Sequence, residues 1–205
     1  MKFTREIYKK CIGIGQACDS SLWTFIFLYT QLHLARTITD EHRAMVGVFE
    51  CLIGVLVLSI FRKRKVIEAA TRNLTFIQIV NFISSVATRF LVVAFPATYM
   101  ATVAVRNSVV CRLTQIAFVD LENRIYSGEE RTDLELVQQQ GNAAGALIGS
   151  GIAWMIVGVS IETVCWIAVG FCFISYAYEI WLGWALKGLV LREMSSGQEN
   201  LVSIG

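Results

Sequence analysis

The sequence predicts an all-α polytopic membrane protein with six transmembrane helices and both termini in the cytoplasm. Three observations predict it. The chain is 55% hydrophobic with a mean hydropathy of +0.57, which excludes disorder and disfavours a soluble globular domain. Six apolar runs, about 12–35, 45–61, 73–95, 97–119, 137–159 and 163–186, each approach the roughly 20 residues that cross a hydrocarbon core as helix. Thirteen of the eighteen basic residues fall in alternate connections. They are Lys2, Arg5, Lys9 and Lys10; Arg62, Lys63, Arg64, Lys65 and Arg72; Arg124 and Arg131; and Lys187 and Arg192. The intervening loops hold only Arg36 and Arg43. Positive residues accumulate on the cytoplasmic side, so six crossings follow. Five or seven would put one cluster on the wrong side.

The first run begins with small residues (Gly13, Gly15, Ala17, Ser20, Ser21) and ends bulky (Trp23, Phe25, Phe27, Tyr29). Its inner half can therefore approach another helix closely. The preceding basic segment imitates a signal peptide, but the run contains Asp19 and Gln31 and continues to Ala35 without a small-residue cleavage pattern; it reads as a retained span. The segment 36–44 is a short outer loop, making spans one and two an antiparallel hairpin. Arg62–Lys65 anchors the second span among cytoplasmic headgroups.

Two turns fit the 73–119 stretch. One lies at Pro96, because the residue before proline avoids helix, and it leaves Arg89 in span three and Arg106 in span four. The other lies near Thr88–Arg89 and makes Arg106 a cytoplasmic flank. Both give two crossings. The loop 120–135 is polar and acidic. The fifth run carries Gly141, Gly145 and Gly149 at four-residue spacing, with Gly151 close by. The sixth is rich in aromatics, several of them near its inner end where an interfacial belt belongs. The tail after Lys187 reads as mobile. No composition break divides the chain, so residues 1–205 form a single domain.

Five residues are candidates for a substrate or ion path. Asp19 and Glu50 are ionisable groups inside apolar runs, where charge is costly unless it faces a cavity or partner. Gln78 and Asn81 are three apart and share a helix face; they either line a cavity or hydrogen-bond between helices. Arg106 lies mid-span under the Pro96 turn, where it can pair with a carboxylate or bind an anionic substrate. Arg89 can snorkel outward, and Glu179 reads as a headgroup-level or hydrated residue. The glycines 141, 145, 149 and 151 are helix-packing positions, because close backbone approach drives association in lipid. They form either a static contact or a sliding surface.

Other functions find no support in the residues. The basic residues flank membrane spans rather than forming a face with interleaved aromatics, which argues against nucleic acid. Six cysteines without a CxxC pair read as apolar packers, not as a zinc site or disulfide frame. His33 and His42 are single. There is no HExxH, no GxSxG with partners, no Walker loop and no dinucleotide fingerprint. No catalytic residue, metal or cofactor is assigned, and the chain is not read as an enzyme.

The segment from Ala104 to Ala153, with Arg106, a charged inner loop and then GNAAGALIGSGIA, resembles the corresponding part of one six-helix half of a major facilitator superfamily transporter. The stretch SIFRKRK after the second run keeps the basic residues of that family's signature loop without its glycine and aspartate, and the family's antiporter proline is absent. The resemblance implies a small-solute secondary transporter. Family members join two six-span halves around the substrate site, so one half implies a homodimer or a second membrane protein as partner, besides the bilayer. The alternative is a non-transporting interaction, immunity or regulatory protein. Compact size and short loops point to a bacterial inner membrane.

Overall fold

The computed structural model describes residues 3–202, with side chains up to Ser195. It is all-α, with no strand among the described residues. The helices are α1 (Arg5–Thr37), α2 (Asp40–Phe61), α3 (Arg64–Arg72), α4 (Leu74–Ala94), α5 (Pro96–Val105), a π-helical turn (Arg106–Cys111), α6 (Arg112–Asn123), α7 (Gly128–Met155) and α8 (Ile161–Val202). The apolar runs are helical in the main, the fourth across α5, the π-helical turn and α6, and the fifth running four residues past the end of α7. Four of them, in α1, α2, α4 and α8, are long and apolar enough to cross a membrane.

Several connections are tighter than the sequence suggests. Helix α1 persists to Thr37 and α2 starts at Asp40, so the expected nine-residue loop shrinks to two residues. Thr39 caps α2 by accepting from the His42 N–H at 3.4 Å, which satisfies an otherwise orphaned donor. The basic segment after α2 is not simply a loop. It folds into α3, whose Ala70 and Thr71 are buried and whose Thr71 hydroxyl donates to Asp120 of α6 at 2.9 Å. The acidic loop is likewise mostly helix, leaving only residues 124–127 between α6 and α7. Its charges are spent on ion pairs such as Arg124–Asp120 at 2.7 Å and Arg131–Glu135 at 3.0 Å. The segment expected to be a mobile tail continues α8 to Val202; residues 203–205 lie outside the described residues.

The chain turns at Pro96. Helix α4 ends at Ala94, and Pro96 occupies the first turn of α5, where its missing N–H costs nothing. Between α7 and α8, Gly158 adopts φ +98°, a conformation that L side chains rarely take, and Ser160 caps α8 through the Thr163 N–H at 3.3 Å.

The closest packing joins α1 to α7. A Cβ placed on Gly141, Gly145 or Gly149 would stand 2.3, 2.2 or 2.3 Å from the carbonyl oxygens of Gly13, Ala17 and Ser21 respectively. Gly13, Ala17 and Ser21 are thus consumed by one internal contact with the glycine ladder, and Ser20 adds a bond to the Asn142 carbonyl at 2.8 Å, while Gly15 faces Tyr178 of α8. The ladder stops at three: Gly151 has no atom within 4 Å of where its Cβ would be, because two residues beyond Gly149 is the opposite side of the helix. The other main packing pairs are α4–α8, α1–α8, α4–α5, α2–α5 and α3–α6.

Two apolar clusters fill the half of the bundle remote from the basic clusters. Leu22, Phe25, Ile26, Ala153, Val164 and Ala168 belong to one. Leu34, Val92, Tyr99 and Cys165 form the other. A third, including Tyr8, Leu121, Tyr126, Leu134 and Leu186, lies at the basic end.

Candidate functional site

A cavity of about 490 Å³ runs from mid-bundle, at Trp23, Arg106 and Tyr176, to the basic end, at Glu122 and Gln138. Helix α1 supplies Gln16, Asp19 and Trp23, and α4 supplies Asn81. The π-turn and α6 supply Arg106, Asn107, Cys111 and Gln115, and α8 supplies Tyr176 and Glu179. Beyond Trp23 the apolar clusters close the bundle.

Arg106 is the most constrained of these residues. It opens the π-helical turn, the kind of local widening that recurs at functional sites. It is 3% exposed. Its Nη2 donates to the Tyr176 hydroxyl, and its guanidinium carbon lies 5.8 Å from the centre of the Trp23 ring. Its Nε has no partner, and among the described residues no carboxylate lies within ion-pair distance of it. A buried cation held by a phenol and an indole but not neutralised by an anion is costly in a low-dielectric medium.

Two carboxylates share the cavity. Asp19 is exposed on its wall and Glu179 is half-buried there. Glu179 feels the charges of Asp19 and Arg106, and Asp19 feels those of Arg106 and Arg89. Neither makes an ion pair among the described residues. Glu179 therefore lines the cavity, a placement the sequence hides because the face of its helix is not known from the residues alone.

The remaining expected residues divide. Asn81 lines the cavity, and its Oδ1 accepts from the Cys111 thiol at 3.5 Å. Gln78 does not line it. It is fully buried, donates to the Glu179 carbonyl at 2.8 Å and packs against Gly183, with its Oε1 unpartnered. Glu50, on α2, also lies off the cavity; only its carbonyl is engaged, by the Ser108 hydroxyl at 3.4 Å. Arg89 does not snorkel. It is 5% exposed and its Nη2 donates to Ser85 at 3.5 Å.

Glu122 was legible only as one acid among several. In the structure it is 1% exposed and sits where the cavity meets the basic end. It accepts from Tyr8 at 2.7 Å, from Arg131 at 2.6 Å and from Gln138 at 2.9 Å. These bonds tie α1, α6 and α7 together. Around them Arg5 reaches Glu130 at 3.1 Å and Glu193 at 2.8 Å, and Lys9 pairs with Asp133. Tyr126 donates to the Arg5 carbonyl at 2.8 Å, and burial pushes its phenol above the ordinary range. The signal of Glu122 in the sequence, an acid nine residues before an arginine across a tight turn, is too weak to single out.

Comparison with known proteins finds no family model that matches the chain, and no curated protein or solved structure that matches it.

Proposed function

We propose that the chain is a six-span, multi-pass membrane protein, with both termini cytoplasmic. In this reading it works as one half of a major-facilitator-type secondary transporter and moves a small solute as part of a pair. The observation that carries the reading is the polar cavity. Asp19, Glu179 and Arg106 stand unpaired with one another around it, inside a bundle whose outer faces are apolar. Charge of this kind within a membrane marks a substrate or ion path. The cavity leads to the basic end, which the positive-inside rule makes cytoplasmic, while Leu34, Val92, Tyr99 and Cys165 close the opposite end. The arrangement suits a cytoplasm-open state of an alternating-access cycle.

The packing pattern supports the same reading. Number the rods in chain order: α1, α2, α3–α4, α5–α6, α7, α8. The first packs on the fifth and the second on the fourth; the first packs on the sixth and the third on the fourth; the third packs on the sixth. Exchanging rods one to three for rods four to six maps these five pairs onto one another, while the lighter α6–α8 and α2–α3 contacts have no counterpart. Inverted repeats of that kind place transporter sites at the repeat interface, and Asp19 and Arg106 lie on the exchanged rods one and four. Proton coupling falls to Asp19 with Glu179, its neighbour in the cavity, in preference to Glu50 outside it.

Pairing with a second copy finds support in α2. Only Val46 and Phe61 of that helix are buried, and Gly47 and Gly54, with exposed Cys51 between them, form an unoccupied small-residue stripe. The same stripe favours the second reading, a non-transporting protein that docks on another membrane protein.

The test is solute flux and proton movement in proteoliposomes. Asp19→Asn is expected to abolish coupled flux while leaving folded protein intact, since Asp19 is exposed to the cavity and makes no ion pair among the described residues. Unchanged flux would remove the coupling role. Flux absent from the unaltered protein under any gradient would favour the docking reading.

A further inference from the structure

We infer that the cavity binds a zwitterion of the amino-acid class, with its carboxylate at Arg106 and its ammonium between Asp19 and Glu179. The inference deepens the transporter reading and rests on it for the route but not for the binding.

Charges of both signs line one cavity without forming an ion pair among the described residues. Arg106 is held between Trp23 and Tyr176 with its Nε unpartnered, and no described carboxylate is within ion-pair distance. An apolar bundle would ordinarily bring Asp19 or Glu179 onto that guanidinium, because an uncompensated buried cation is strongly disfavoured. A ligand carboxylate supplies the missing counter-charge, and guanidinium binds carboxylate in a matched fork.

The carboxylates are displaced from Arg106 in a common direction. Asp19 precedes Trp23 by four residues on α1, and Glu179 follows Tyr176 by three on α8. These helices run antiparallel, since Arg5 at the start of α1 pairs with Glu193 late in α8. Both acids therefore step towards the basic end, by roughly 6 Å and 4.5 Å of helix rise. The result is a cationic layer deep in the cavity and an anionic layer one turn nearer its mouth. A simple cation would satisfy the acids and leave Arg106 bare, and a simple anion would have to pass two carboxylates and leave them unpaired. A molecule carrying both groups a few ångströms apart satisfies both layers. Trp23, Phe118, Tyr176 and Tyr178 supply apolar wall for its side chain, and the volume lies within the range of small-molecule sites.

The experiment is a thermal-unfolding series on the protein in lipid nanodiscs. It uses three equimolar pools at one total concentration: the common amino acids, their decarboxylated amines, and their N-acetyl derivatives. The amino-acid pool is expected to raise Tm more than either other pool. Arg106→Gln should weaken amino-acid binding about tenfold, the worth of one charge-assisted bond, and leave the amines unaffected. Arg106→Lys should keep the preference, so the test stands if the glutamine variant does not fold. Asp19→Asn with Glu179→Gln should remove the preference over the N-acetyl pool. An equal response to amines and amino acids, or none to amino acids, overturns the inference. Amino-acid binding without flux in liposomes would instead refute the transporter reading and leave the ligand class standing. Proton-coupled flux of an amine, without amino-acid binding, would do the reverse.

Discussion

Gly145 lies against the carbonyl oxygen of Ala17 so closely that a Cβ there would stand 2.2 Å from it. A helix backbone carbonyl cannot swing aside as a flexible side chain can, so even the smallest substitution must push α1 and α7 apart. Gly145→Ala is expected to destabilise the protein by about 2–4 kcal/mol, at or beyond the usual cost of overpacking. Gly151→Ala, facing open space, should be neutral and slightly favour helix. Unfolding of the two variants in detergent by circular dichroism checks the contrast; equal stability would mean that the ladder is not the α1–α7 contact.

Glu122 is the shared acceptor of Tyr8, Arg131 and Gln138. Glu122→Gln removes the charge that neutralises Arg131, whose side chain is only 17% exposed. Arg131 retains Glu135 at 3.0 Å, so the loss should fall near the lower end of the roughly 3–5 kcal/mol typical of breaking a buried pair. Tyr8→Phe should cost less, about 1.5–3 kcal/mol for a hydrogen bond to a charged group. Hydrogen exchange at the α6–α7 turn would rise in both; protection unchanged in Glu122→Gln would rule out a clamp at the basic end.

Gln78 offers a test that separates interhelical bonding from cavity lining. Its Nε2 bond goes to a carbonyl within α8, and its Oε1 is buried without a partner. Gln78→Met keeps the volume and removes the orphaned acceptor. Stability within about 1 kcal/mol of the parent is expected, since an apolar replacement of similar shape is close to neutral. Ligand affinity should be unchanged. A loss of affinity comparable to that of an Arg106 variant would return Gln78 to the cavity.

Helix α2 exposes Gly47 and Gly54 to open space. Gly47→Leu with Gly54→Leu should therefore leave the fold intact and abolish close approach of a second helix. Native mass spectrometry from nanodiscs is expected to show a dimer for the parent and a monomer for the double variant. A parent that is strictly monomeric would remove the homodimer and leave a second membrane protein as the required half.

The helical architecture is legible in the residues because its causes are local. Twenty-residue apolar stretches have only helix available in lipid, and Pro96 decides its turn through its own ring. The glycine spacing likewise reveals that a helix will be approached closely. What tertiary structure alone decided is who approaches whom. Gly141, Gly145 and Gly149 meet Gly13, Ala17 and Ser21 across more than 120 residues of chain, and no periodicity names that partner. The same limit separates Asp19, which faces the cavity, from Glu50, which does not: both are acids in apolar runs, and only the rotation of each helix in the bundle tells them apart. The cavity position of Glu179, the bonding of Glu122 and the π-turn at Arg106 are hidden in the sequence for the same reason. The sequence by itself determined the elements and the side on which their charges gather; packing determined which of those charges share a cavity, because side-chain direction is set by contacts between helices distant along the chain.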